Sequence, residues 1–185
     1  MQPTSRVAVT VTFLRMDERP ADPPRPLPKT TPLITLAACT VPFYRYLYDT
    51  VGGPHLWWLR RSLPDAAIEA ILRNPAVYVT VLYRGGEPAG FFELDHRQSP
   101  VVNISYFGLM PAAIGAGLGT PLLRAAVDMA FHCGARAVTV NTCTADHPRA
   151  LPGYLRAGFR PVRTMREIWD VPTRLGLSIP EHLRV

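Results

Sequence analysis

The chain has 185 residues, 48% of them apolar, and a formal net charge of +6. That length suits about one domain with a real buried core, and the apolar fraction is ordinary for a soluble globular protein. The charge favours an anionic partner, but the arginines are scattered and no Lys/Arg run forms a nucleic-acid patch. Cys39, Cys133 and Cys143 are odd in number and lack metal-ligand spacing, which points to free thiols in a reducing, cytoplasmic setting with no metal. Met1–Arg6 carries no signal-peptide pattern. Asn103 to Leu123 is uncharged and long enough to span a bilayer, but Pro111, Pro121 and four glycines interrupt it, so no membrane span is predicted.

Arg6 to Met16 alternates apolar and polar residues and predicts a first strand. Asp17 to Pro32 is rich in proline and charge; it cannot be helical and reads as an extended connector. Leu33 to Ala37 reads as a short strand. Val41 to Val51 predicts a helix ended by Gly52-Gly53-Pro54, and Asp65 to Asn74 a second, stopped at Pro75. Tyr44, Tyr46, Tyr48, Trp57 and Trp58 concentrate aromatic surface there. Val77 to Arg84, a Gly85-Gly86 turn and Pro88 to His96 predict a hairpin, and Gln98-Ser99-Pro100 turns into Val101 to Leu109, completing an antiparallel meander. Ala137 to Cys143 is an apolar strand, Asp146 to Ala157 a helix, and Phe159 to Val171 a closing strand or pair. Thr173 to Val185 is a tail. Neither a repeat nor a second domain is visible, so 1–185 reads as a single domain with a core of about 33–171.

The chain is organised around Asn103 to Gly134, read as strand, glycine turn and helix. Gly115, Gly117 and Gly119 free the backbone of Cβ atoms where a ligand must come close. Thr120 suits the N-cap and Pro121 the first helical position. Leu122, Leu123, Ala126, Val127, Ala130 and Phe131 share one helical face, and Gly134 marks the stop. Amides beside a helix N-terminus suit phosphate. The strand–helix–strand run from Val101 to Cys143 predicts a right-handed parallel crossover, and so a mixed α+β sheet. A Walker loop is excluded because Gly119, not Lys, precedes Thr120; a dinucleotide fingerprint fails because Thr120 stands at its last glycine station.

Ile114-Gly115-Ala116-Gly117-Leu118-Gly119 resembles the acetyl-CoA loop, Gln/Arg-x-x-Gly-x-Gly/Ala, of the GCN5-related N-acetyltransferase (GNAT) family. His147, Ala150, Tyr154, Gly158 and Phe159 match the family's downstream Asn-x-x-Ala-x-x-x-Tyr-x-x-x-Gly-Phe series. The resemblance covers roughly Leu33 to Val171, and the segment from Cys143 to Leu151 looks like a bacterial branch whose members mostly lack an assigned substrate. It implies a GNAT-like mixed sheet in which the strand ending at Leu109 splays from the strand at Ala137 to Cys143. Acetyl-CoA would lie in the gap, its arm pairing with the backbone of Phe107 and Leu109. Its pyrophosphate would meet amides of Ile114, Gly115, Ala116, Gly117, Leu118, Gly119 and Thr120, with His147 and Ala150 nearby. Tyr154 would protonate the leaving thiolate. From its residues alone Tyr154 is a plausible acid: it is one helical turn from Ala150 and two from His147, and a phenol's pKa near ~10 lies not far above a thiol's.

Three departures stand out. Ile114 replaces the loop's Gln or Arg, with Arg124 as a substitute source of charge. His147 replaces Asn and reads as a helix cap or a base. Asn103 occupies the station of the family's general-base glutamate, and an amide cannot take a proton. Glu93 and Asp95, on one face of the neighbouring strand, are the substitute bases, directly or through water.

The leading expectation is direct acetyl transfer to a primary amine of a small molecule or peptide. Cys143 is packing and no acyl-enzyme forms. The competing expectations are a non-catalytic acyl-CoA-binding module that has lost its base, and a nucleic-acid binder. The acceptor is expected to meet Tyr44 to Arg61 and Ala89 to His96, where Asp49 and Glu93 suit a small cationic amine. The acyl length and a homodimer stay open.

Overall fold

The structure is a computed structural model that describes residues 3–23 and 26–185. Met1 and Gln2, and Pro24 and Arg25 of the expected connector, lie outside the described residues. Seven strands form one sheet: β1 (Thr4–Met16), β2 (Leu33–Thr35), β3 (Val77–Arg84), β4 (Glu87–Asp95), β5 (Val101–Leu109), β6 (Ala137–Cys143) and β7 (Arg160–Pro172). Their spatial order is β2-β3-β4-β5-β6-β1-β7. Every neighbouring pair is antiparallel except β5–β6. The helices are α1 (Val41–Gly52), α2 (Leu59–Ser62), α3 (Asp65–Leu72), α4 (Gly119–His132) and α5 (Ala150–Arg156). This is the expected mixed α+β fold.

The sheet's two faces follow from strand alternation. Leu82, Phe92, Leu94, Ile104, Val138, Val140 and Leu14 face one way, against Leu122, Ala126, Val127 and Ala130 of α4. Val79, Val81 and Phe91 face the other way, against Tyr44, Leu47, Tyr48 and Val51 of α1 and Ile68 of α3. Farther along this second face, Val7, Val9 and Val11 of β1 pack with Leu56 and Val171. β4 is buried on both faces, so its apolar residues run almost without interruption.

Local patterning leaves the place of β1 undetermined. It lies between β6 and β7, far from β2, paired with β7 from Thr4↔Pro172 to Arg15↔Arg160 and with β6 from Val11↔Cys143 to Met16↔Val138. The connector therefore crosses the α4 face, where Arg19 pairs with Asp128 at 2.7 Å and Arg124 donates to the Pro20 carbonyl at 2.9 Å.

Two helix starts differ from expectation. α4 begins at Gly119, with Leu118 as N-cap and the Leu122 amide bonded to the Leu118 carbonyl at 3.0 Å. Thr120 is thus inside the first turn, and Pro121 occupies a position whose missing N–H would have no helical acceptor anyway. α5 begins at Ala150 rather than Asp146. The Asp146 carboxylate accepts from the Thr142 hydroxyl (2.7 Å) and the Cys143 amide (2.9 Å), which folds the chain into a turn first. The later start also places Pro152 in the first turn, where it breaks no hydrogen bond.

Candidate active site

β5 and β6 are paired only from Val101↔Ala137 to Ile104↔Val140. Beyond that point β5 stays with β4, through Tyr106↔Glu93 to Leu109↔Gly90, while Asn141 to Cys143 stay with β1. The two strands diverge, and the backbone edge of Ser105 to Leu109 that faces β6 has no strand beside it. A bulge at Ser105, where Glu93 pairs with Tyr106 and Leu94 with Ile104, marks the apex; bulges bend a strand and raise its twist.

The glycine turn follows β5 directly. Gly115 and Gly117 adopt φ of +87° and +75°, and a Cβ at either would meet nothing within 4 Å. The space above them is open. The Ile114 and Ala116 amides close on the Pro111 and Ala113 carbonyls at 3.3 Å. Among the described residues the amides of Gly115, Gly117, Leu118, Gly119 and Thr120 have no backbone acceptor, and four of them sit at or beside the N-terminus of α4. That is a cradle suited to phosphate oxygens. Pro26 to Lys29 of the connector flank Ala116, Gly117, Leu118 and Pro121 across a pocket of about 390 Å³, so Lys29 carries a positive charge to the turn. Arg124 does not: its guanidinium is held by Asp128 at 3.1 Å and by the Pro20 carbonyl.

On the α4 side of the gap, Tyr154 of α5 is 6% exposed. Its ring lies edge-on to Phe107 of β5 at 6.2 Å and to Phe159 at 5.9 Å. The phenol makes no hydrogen bond among the described residues. Burial, reinforced by the Asp146 carboxylate, pushes its pKa well above the ordinary phenol value. Ala150 opens the same helix. His147 precedes it, and its Nδ1 accepts from the Arg149 amide at 3.1 Å, so the imidazole caps the turn rather than sharing the helical face of Tyr154. The His147 ring also meets His55 edge-on at 5.9 Å.

The other side of the sheet carries an ionic network. Glu93 is 0% exposed; its carboxylate accepts from the Tyr44 hydroxyl at 2.5 Å and from Arg60 at 2.7 Å. Arg60 is 13% exposed, donates also to the Tyr44 hydroxyl at 3.2 Å, and lies 5.3 Å from the centre of the Tyr106 ring. Glu93 and Asp95 share this face, as alternation requires. Asp95 is gripped by Arg97 through contacts of 2.6 to 3.0 Å, and these hold its pKa below the usual carboxylate value. Asn103, opposite Asp95, accepts from the Thr139 hydroxyl at 3.1 Å and donates to the Ser105 hydroxyl at 3.2 Å. Trp57 stacks obliquely on Tyr106 at 5.1 Å, and its indole N–H reaches Asp146 at 3.3 Å, tying the β5 side of the gap to the loop after β6. Trp57 and Arg60 lie in the Tyr44 to Arg61 stretch expected to meet the acceptor, but their pairings with Asp146 and Glu93 leave no mark in the sequence.

Burial, with Asp146 close by, pushes the Cys143 thiol up to about 12, so it is protonated at neutral pH. Among the described residues no cluster of His, Cys, Asp or Glu is placed to hold a metal, and no helix is long and apolar enough to cross a membrane.

Residues 41–159 match the acetyltransferase (GNAT) family. The fold is similar to that of a conserved protein of unknown function from Staphylococcus epidermidis, with a TM-score of 0.64, 14% identity, and coverage of 90% of this chain and 63% of that one. It is similar to a GCN5-related N-acetyltransferase from Sphaerobacter thermophilus, with a TM-score of 0.64, 17% identity and coverage of 92% and 53%. An aminoglycoside acetyltransferase from an uncultured soil metagenomic sample gives a TM-score of 0.57, 18% identity and coverage of 70% and 88%. At such identities the likeness is one of fold. The chain spans about half to two thirds of the length of the first two. No curated protein sequence matches it.

Proposed function

The chain belongs to the GCN5-related N-acetyltransferase family, and from that premise we propose that it transfers acetyl directly from acetyl-CoA to a primary amine of a small molecule or peptide. The observation that carries this reading is the gap between β5 and β6, which opens onto the unpaired amides of the glycine turn. An extended pantetheine arm beside Phe107 and Leu109 satisfies an open strand edge. The pyrophosphate takes the free amides of Gly115, Gly117, Leu118, Gly119 and Thr120, with Lys29 supplying the charge that Ile114 lacks.

In the reaction, the amine nitrogen attacks the thioester carbonyl, the C–N bond forms and the C–S bond breaks. Holding the two reactants together supplies much of the rate. The thiolate takes its proton from Tyr154, whose hydroxyl has no competing partner and whose burial keeps it protonated at neutral pH. The same burial weakens it as an acid, so the transfer depends on the thiolate being equally poorly solvated. The ammonium proton leaves through water at Asn103 and Ser105. Glu93, with both carboxylate oxygens engaged, supports the wall of the site; Asp95 is held down as a base by Arg97. The free thiols fit a reducing, cytoplasmic location, and the single sheet joined by β1 and β7 fits one acetyltransferase domain.

The aminoglycoside acceptor of one structural neighbour fits poorly. A polycation needs open carboxylates, whereas Glu93 is held by Arg60 and Asp49 by Arg61 at 2.9 Å. The competing reading, an acyl-CoA-binding module without turnover, is favoured by Asn103 and by the engaged Glu93. Calorimetric titration with acetyl-CoA, followed by thiol release over a panel of amines, separates the two. Binding with amine-dependent thiol release supports transfer, binding without release on any amine supports the module, and absence of binding removes both.

A further inference from the structure

On the face of the sheet that carries α1, the cover over β1 comes from Leu56 and Leu183 beside Val7, Val9 and Val11. Past it lies a groove of about 380 Å³ lined by Phe13, Asn103, Thr139, Asn141, Val162 and Arg163. Its position follows from register. Asn103 pairs with Thr139, one residue before the last β5–β6 pair, and Asn141 is the first β6 residue beyond that pairing. In the next row Asn141 lies beside Phe13, and Phe13 beside Arg163. The groove therefore starts at the apex of the gap and runs sideways across β1 to β7.

Its chemistry is specific. The apex offers two amides and a hydroxyl, and the floor is the Phe13 ring with Val162 at the rim. The far end carries Arg163, which makes no hydrogen bond or ion pair among the described residues, as does the Asn141 side chain. Among the described residues no carboxylate lines it. The nearby acids are already matched: Asp95 by Arg97, Glu93 by Arg60, Asp17 by Arg15 and Arg160. A cationic acceptor finds no counter-charge here, and an acceptor with a carboxylate finds one unengaged guanidinium. Guanidinium–carboxylate pairs are geometrically specific as well as charge-assisted. β6 and β7 are two strand spacings apart, about 10 Å, so amine and carboxylate must be separated by several bonds.

We propose that this groove is the acceptor subsite, and that the acceptor is an amine whose molecule also bears a carboxylate several bonds away, an amino acid or peptide end with a lysine-like arm, bound through Arg163. The inference rests on the proposed transferase reading and sharpens its substrate class.

The test compares L-lysine, L-lysinamide and 1,5-diaminopentane as acceptors, with acetyl-CoA binding measured separately. The expected result is a kcat/KM for lysine at least tenfold above that for lysinamide, with 1,5-diaminopentane lower still. In Arg163→Glu, and to a smaller degree in Arg163→Lys, the lysine-to-lysinamide ratio falls toward one through KM, while the KM for acetyl-CoA stays put. Arg163 is exposed on an edge strand, so these variants are expected to fold; circular dichroism checks it. Equal or better use of lysinamide or 1,5-diaminopentane overturns the inference alone, as does an unchanged ratio in Arg163→Glu. Acetyl-CoA binding with none of the three acetylated also overturns it, whereas failure to bind acetyl-CoA removes the transferase reading beneath it.

Discussion

On the α4 side of the sheet the site is made of backbone; on the α1 side it is made of side chains. The glycine turn offers amides whose positions depend on two left-handed φ values and on the start of one helix. The Tyr44–Arg60–Glu93–Tyr106 network gathers residues from α1, α2, β4 and β5, and each depends on the others being in place. A backbone cradle tolerates change in its side chains and fails when a Cβ enters. A buried ionic network tolerates little, because removing one partner strands the others in a medium that cannot solvate them.

The sharpest way to break the comparison is Arg60→Ala. It leaves Glu93 buried without its cation, and the expected cost is about 3–5 kcal/mol in urea unfolding. Arg60→Met combined with Glu93→Gln should recover much of that. A loss below about 1 kcal/mol for the single variant would mean that water already reaches the pair. Next comes Gly117→Val on the backbone side. Its Cβ would meet nothing within 4 Å among the described residues, so beyond strain of about 1–2 kcal/mol from the positive φ the fold should hold. Acetyl-CoA affinity should fall at least about a hundredfold, roughly 2.7 kcal/mol, in calorimetry, and normal binding would sink the cradle.

Tyr154→Phe should lower kcat by about tenfold to a hundredfold and leave acetyl-CoA affinity and thermal stability nearly intact, since the phenol makes no hydrogen bond among the described residues. Unchanged kcat would remove it as the acid. The smallest effect is a pH dependence that both sides share. Burial raises the phenol pKa values of Tyr44, Tyr48 and Tyr154. The unfolded chain releases these protons near pH ~10 while the folded chain keeps them. Stability is then fully present below that pH and falls as pH rises through it, by about 1 kcal/mol in all at pH ~10. A urea midpoint that stays flat from pH 8 to 10.5 would contradict their burial.

The same contrast explains what the sequence revealed. The glycine turn was legible because its signal is local: glycines at Gly115 and Gly117, a proline, then a helical stripe. The fold class was legible from the meander and the crossover, and the family from the spacing of Ala150, Tyr154 and Phe159. Alternation put Glu93 and Asp95 on one face, but which face depends on a helix some forty residues earlier, and an arginine partner leaves no mark at a distance. The start of α5 was misplaced because the Asp146 side chain outcompetes helix formation locally. The position of β1 was hidden for another reason: alternating valines suit any half-buried strand and name no partner.

That last point bears on how the chain reaches its fold. The Thr10 amide ends up on the Thr144 hydroxyl, 134 residues away, and β1 is otherwise paired by β6, by β7 and by the segment at Arg184 and Val185. During synthesis β1 is made before the other strands of this sheet, yet it waits for β6 and β7 to find its neighbours. Until β6 and β7 are present, its valines and its open edges have nothing native to meet, so closure of this half of the sheet carries the largest loop-entropy cost in the molecule and is expected late in folding. Nascent chains that stall before residue 160 therefore expose a long, apolar, unpaired strand, which is the form most prone to pair with another copy of itself.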